Sequence, residues 1–209
     1  LAEPEALEAA LRQHAGDVAC VIIEPIPANN GLLLQDLDFL QFLREKTREY
    51  GVLLIFDEVI SGFRVGFEGA AGLYDIQPDI LTFGKIIGGG MPVGAYAASR
   101  EIMEHVAPMG PVYQAGTLSA NPVAMAAGFA TLTELLRPGF YENLEAKTRR
   151  FTSHLQGFCD RKGYEITFPS IGSIFWPTFT RQRIRRSDEI DGTRMEFFKK
   201  MHLECLKRG

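Results

Sequence analysis

Residues 52–58 read Val52-Leu53-Leu54-Ile55-Phe56-Asp57-Glu58, an unbroken apolar run closed by two carboxylates. Such a run has no solvent face, so it reads as a strand buried on both sides, as in a parallel sheet. Upstream, Val18-Ala19-Cys20-Val21-Ile22-Ile23 repeats the pattern and is stopped by Glu24-Pro25. Between the two, from Asp36 to Tyr50, Leu37, Leu40 and Leu43/Arg44 recur at helical spacing. Asp36 can cap that helix and Gly51 follows as a stop. Helix alternating with buried strand predicts an α/β fold, a mostly parallel sheet flanked by helices.

Working outward, Glu3 to Gln13 reads as an amphipathic helix with Pro4 in its first turn. Ile80–Phe83 and Ala95–Ala98 are shorter strand candidates. Asn121-Pro122 opens a helix to about Leu136, with Asn as cap and Pro at the first helical position. Pro138-Gly139 breaks it, and a further helix runs from about Tyr141 to Arg161. Beyond that, Tyr164–Phe168 and Ser173–Thr180 look like strands and Asp191–Lys207 like a helix. A boundary near Arg137–Phe140 would divide the chain into residues 1–137, part of a large domain, and residues 138–209, part of a smaller α+β domain.

The composition fits a water-soluble globular protein: 46% of residues are apolar and 23% charged, enough of the first to bury a sizeable core. The net charge is −4, with basic residues clustered only at Arg181, Arg183, Arg185 and Arg186. Nucleic acid is therefore not the expected partner, because phosphate neutralisation needs grouped Lys and Arg. The short basic run itself reads as a solvated loop. Cys20, Cys159 and Cys205 are too far apart for a zinc motif, and a sparse, odd count fits a reducing, cytoplasmic compartment. No metal site is expected. No apolar run reaches membrane-spanning length, and the first residues carry no signal-peptide pattern.

In parallel α/β sheets ligands bind beyond the carboxyl ends of the strands. Glu24 ends one strand, Asp57-Glu58 the next, and Lys85 follows Ile80–Phe83 with Gly88-Gly89-Gly90 behind it. Taken alone, Asp57 admits three readings. It can be a cap or core ion pair, or a carboxylate holding a pyridinium nitrogen protonated. It can also be the acidic strand end of a nucleotide hydrolase, although no phosphate-binding GxxxxGK[ST] precedes it. Lys85 stands among glycines and isoleucines, where apolar neighbours favour the neutral, nucleophilic amine. Gly116-Thr117-Leu118-Ser119-Ala120-Asn121-Pro122 sets small residues and hydroxyls before a helix start, which suits a phosphate or a plain cap. His14, His105, His154 and His202 read as ordinary helix or loop histidines, Trp176 as packing and Arg64 as a surface cation.

Together these segments form a pattern. Asp57-Glu58-Val59, then Pro78-Asp79-Ile80-Leu81-Thr82-Phe83-Gly84-Lys85, then Gly88 to Gly94, resembles the signature of class III pyridoxal-phosphate aminotransferases. Residues 110–125, with Phe63-Arg64-Val65, are similar to the branch of that class that acts on glutamate-1-semialdehyde and moves an amino group within one molecule. The likeness is most specific from Val18 to Ala130. It implies a fold type I transferase that uses pyridoxal 5′-phosphate as cofactor and a small-molecule substrate. By the same likeness Lys85 bonds the cofactor and carries protons, Asp57 pairs with the pyridine nitrogen and Val59 packs on the ring. Gly116 and Thr117 would reach the cofactor phosphate of the other subunit in a homodimer, and Asn29 would lie near the ring.

The sequence departs from the pattern at Ala120, where the branch usually has Gly, and in the Glu24–Asn30 segment. The resemblance also implies a phosphate loop and a ring-stacking aromatic ahead of Leu1, and a gating segment after Gly209. On that basis the 209 residues alone are not expected to turn over. Two other readings stand beside the aminomutase. One is a class III transaminase acting on an ω-amino or amino-acid donor, and the other is a non-catalytic structural or dimerisation module.

Overall fold

A computed structural model describes residues 3–209. Helix α1 (Pro4–Gln13) leads to strand β1 (Cys20–Ile23), helix α2 (Leu37–Glu49) and strand β2 (Leu53–Glu58). A short helix α3 (Gly69–Tyr74), strand β3 (Ile80–Phe83), a 3₁₀ turn over Lys85–Gly88 and strand β4 (Ala95–Ala98) follow. The four strands form one sheet in the order β1-β2-β3-β4, the first three parallel and β4 antiparallel to β3. The expected mostly parallel sheet is thus present.

Register explains which face is covered. Val21, Ile23, Leu54, Phe56 and Leu81 share one face, and Leu54 and Phe56 are completely buried against Phe39, Leu40 and Leu43 of α2 and against Ile76. Cys20, Ile22, Leu53, Ile55, Asp57, Ile80 and Thr82 share the other, where Ile22 and Leu53 stay exposed. Leu37, expected on the apolar face of α2, is exposed, and Phe39 takes the buried place in that first turn.

Asp36 occupies the cap position of α2, but its side chain does not cap the helix. It accepts instead from Arg183 at 3.2 Å and forms an ion pair with Arg185 at 2.8 Å. Two guanidiniums bind a carboxylate more strongly than the neutral amides of a helix start. The basic run is the exposed loop expected, with its arginines held in surface ion pairs. Arg181 pairs with Asp160, and Arg186 with Glu3 and Asp188.

Downstream, α4 (Arg100–Met103), α5 (Pro122–Leu135) and α6 (Phe140–Lys162) precede a small hairpin of β5 (Ser170–Ile171) and β6 (Ile174–Phe175). The long strands expected at Tyr164–Phe168 and Ser173–Thr180 are not formed. Only an isolated bridge joins Thr167 to Thr178, because Pro169 and Pro177 offer no N–H to a ladder and the chain turns at Gly172-Ser173. Two 3₁₀ turns, Ser187–Glu189 and Gly192–Arg194, come before α7 (Met195–Arg208), which begins four residues later than its apolar pattern suggests. No helix of the described residues is long and apolar enough to cross a membrane.

Candidate functional site

Ile23, Glu58 and Phe83 end the three parallel strands at one edge of the sheet, and Asp57 lies beside Thr82 in the register. Asp57 Oδ1 accepts from the Val59 amide at 3.0 Å and the Thr82 hydroxyl at 3.4 Å. Among the described residues both bonds fall on Oδ1, which leaves Oδ2 to the open face. Of the roles open to Asp57, a core ion pair is not the one it fills. A half-buried carboxylate with one oxygen fixed and one free is suited to receive a charged N–H from a ligand.

Gly84 separates β3 from Lys85. A methyl group on Gly84 would lie 3.1 Å from Val59 Cγ1, so Val59 rests directly on the strand exit. Lys85 is exposed and has a left-handed backbone, φ 51°. A side chain costs about 1 kcal/mol in that region and persists there only where the surroundings enforce it. Helix α5 packs closely on the turn that follows Lys85. A Cβ on Gly128 would come 2.4 Å from the Ile87 carbonyl, and one on Gly89 would come 2.3 Å from that of Ala127. The turn and the helix therefore meet backbone to backbone. Asn121 caps α5 as expected, its Oδ1 accepting from Val123 and Ala124.

The buried Glu58 beside Asp57 has a different task. It accepts from Ser61 Oγ at 2.9 Å, Ala70 N at 2.6 Å and Ala71 N at 2.9 Å, which ties the loop after β2 to the start of α3. Burial, and after it the Glu58 charge, push the Tyr74 phenol above its usual range. Sequence reasoning had no signal for this anchor, since its partners are backbone amides twelve and thirteen residues on. It also missed the pair of Arg44 with Asp79, which ties α2 to the starts of β2 and β3. Pro78-Asp79 stood in the sequence only as part of a motif.

The remaining candidates lie further out. Asn29 is exposed in the bend after β1, where Glu24 accepts from the Ala28 amide at 3.3 Å. Trp176 packs over Gly31 in that bend, as a packing residue should. Gly116 and Thr117 sit in an exposed loop ahead of α5 and make no hydrogen bond to Asp57, Val59 or Lys85 among the described residues. Ala120, in the same loop, has φ 54°. The position wants a glycine, which accounts for the departure read from the sequence. Ala120→Gly is expected to raise the unfolding free energy by about 1 kcal/mol. A urea titration that shows no gain would sink this account of the loop. No group of three His, Cys, Asp or Glu among the described residues is placed to hold a metal ion.

The mostly parallel sheet flanked by helices, together with solved class III aminotransferases as structural neighbours, places the chain in the fold type I class of transferases. Residues 2–186 match the family model described as aminotransferase class-III. The chain belongs to that family. It is 50% identical over 208 residues to a glutamate-1-semialdehyde 2,1-aminomutase of Leptospira biflexa, covering 97% of this chain and 48% of the relative. Among solved structures, a β-phenylalanine aminotransferase from Variovorax paradoxus superposes with a TM-score of 0.84 at 33% identity, over 91% of this chain and 44% of that one. A glutamate-1-semialdehyde-aminomutase from Pseudomonas aeruginosa PAO1 gives 0.79 at 28%, with the same coverage. The chain thus spans about half the length of the curated relatives it matches.

Proposed function

We propose that the protein is an aminomutase that converts glutamate-1-semialdehyde to 5-aminolevulinate for tetrapyrrole synthesis, with pyridoxal 5′-phosphate as cofactor. The observation that carries this reading is the 50% identity to a curated aminomutase along almost the whole chain. The residues present fit the cofactor, because Asp57 Oδ2 is free on the open face of the same sheet edge that launches Lys85. When bound, pyridoxal 5′-phosphate supplies an electron-withdrawing ring for amine chemistry.

This chain's residues would divide the work as follows. Asp57 Oδ2 would accept from a protonated ring nitrogen. Val59, resting on Gly84, would pack on the ring. Lys85 Nζ would hold the cofactor and serve as the proton carrier for the substrate. Asn29 would contribute from the bend after β1. In this reading residues 1–137, which hold the four-stranded sheet, form part of the large cofactor-binding domain and residues 138–209 part of the smaller one.

The active form in this proposal is a homodimer. Tyr113, Leu118, Val123 and Phe129 are large apolar residues left exposed on and before α5, a surface suited to a second copy. Gly116 and Thr117 on that surface would hold the cofactor phosphate of the other subunit. The free cysteines Cys20, Cys159 and Cys205 support a cytoplasmic place.

Glutamate-1-semialdehyde supplied to the full-length chain, with no separate amino donor or acceptor, tests the reading. It is expected to yield 5-aminolevulinate. A transaminase with another substrate is the second reading, favoured by the closer superposition on the β-phenylalanine aminotransferase. It would show instead as borohydride-trapped cofactor on Lys85 without that product.

A further inference from the structure

Phe63 has a left-handed backbone, φ 58°, in the loop that follows β2. For an aromatic residue this conformation is strained and needs external support. The support comes from far along the chain. Tyr141, in the first turn of α6, donates its hydroxyl to the Phe63 carbonyl at 3.0 Å. Its phenol is half-buried, and burial pushes its pKa up, so it stays a donor. Next to this bond, Ser173 donates to the Arg64 carbonyl at 3.4 Å, and a Cβ on Gly172 would lie 3.1 Å from Val65 Cα. The residues after β2 are thus gripped from the C-terminal part of the chain.

The Phe63 ring transmits that grip. It packs on Phe67 at 5.5 Å and on Phe83 at 5.2 Å between centroids. Phe83 is the last residue of β3, two before Lys85. Gly62, beside Phe63, donates to the Glu58 carbonyl at 2.9 Å, and a Cβ on it would lie 2.7 Å from the Phe83 ring. No slack exists between the loop and the strand end.

We propose that Tyr141 is a positioning residue for Lys85, acting through the Phe63 carbonyl and the Phe63–Phe83 ring pair. The inference rests on the reading of Lys85 as the cofactor-bonding amine. A hydroxyl outside the cofactor site then sets where that amine emerges from the sheet.

Tyr141→Phe in the full-length chain removes the hydroxyl and keeps the ring. Hydrogen exchange of the Phe83–Gly89 amides in cofactor-free protein is the first measurement. It is expected to rise about fivefold, the factor one neutral hydrogen bond carries, while amides of α2 stay unchanged. Equal exchange in both proteins, or a rise spread evenly over the chain, overturns the proposal. The second measurement titrates the visible absorption of cofactor-loaded protein with pH. A midpoint displaced in Tyr141→Phe supports positioning, and an unmoved midpoint overturns it. Wild-type protein with no cofactor on Lys85 would remove the reading beneath the proposal and overturn it as stated. The exchange result would still report separately whether Tyr141 steadies the turn.

Discussion

On the proposed reading, in which one amine supplies both the covalent bond and the proton carrier, replacing Lys85 by alanine in the full-length chain is expected to lower 5-aminolevulinate formation by about 10⁴-fold. Asp57, Val59 and the sheet are untouched by the change, so the protein still folds. Borohydride should then fix no cofactor at this position. Product within tenfold of wild type would exclude Lys85 as the working amine. The backbone adds a second contrast. Because φ at residue 85 is 51°, alanine keeps the strain and glycine relieves it. Lys85→Gly should therefore be as inactive as Lys85→Ala but more stable by about 1 kcal/mol. Loss of function with a gain in stability is what a strained functional residue predicts.

The largest effect on stability is expected at Asp79. One oxygen, Oδ2, accepts from Arg44 at 2.8 Å and from the Leu54 amide at 2.7 Å. Arg44 is 7% exposed, also donates to the Gln77 carbonyl, and its Nε has no partner among the described residues. Asp79→Ala would leave a buried guanidinium uncompensated and a strand amide unpaired. The cost should be about 3 kcal/mol, the low end for breaking such a pair, because the Asp79 side chain keeps partial access to water. Arg44→Met should cost less, since the methionine fills the space and the carboxylate that remains can still accept from Leu54. Urea unfolding of the two variants decides the matter. A smaller loss in Asp79→Ala than in Arg44→Met would refute this account of the pair.

Sheet and helices were legible because their signals are periodic and local. Ile80–Phe83 and Ala95–Ala98 fall on β3 and β4, and Asn121-Pro122 opens α5. The C-terminal strands were not legible. Alternating Thr and apolar residues suggest extended chain there, and only the placement of two prolines and a turn limits it to a short hairpin. For the site, the motif containing Asp57, Val59 and Lys85 could be read, and the three fall at one edge of the sheet. What supports them could not be read. Glu58 binds amides across a loop, Arg44 of α2 meets Asp79 ahead of β3, and Tyr141 reaches Phe63 from 78 positions away. Each depends on tertiary closeness that no spacing encodes. The positive φ at Phe63 and Lys85 was hidden for the same reason, as neither is a glycine, whereas at Ala120 the departure from a usual glycine had hinted at it.

The antiparallel direction of β4 bears on how the site assembles. Lys85 lies in the short connection 84–94, a return between strands that pair with each other, so closing it demands little chain entropy. Asp57 reaches the same place only after the longer crossover 59–79 has been laid down, and β1 joins across the still longer 24–52. The lysine half of the site is thus a low-contact-order hairpin, and the aspartate half is a high-contact-order pairing. A ligand that must touch both fastens a local unit to a distant one, so its binding free energy is coupled to the step of folding that is entropically hardest.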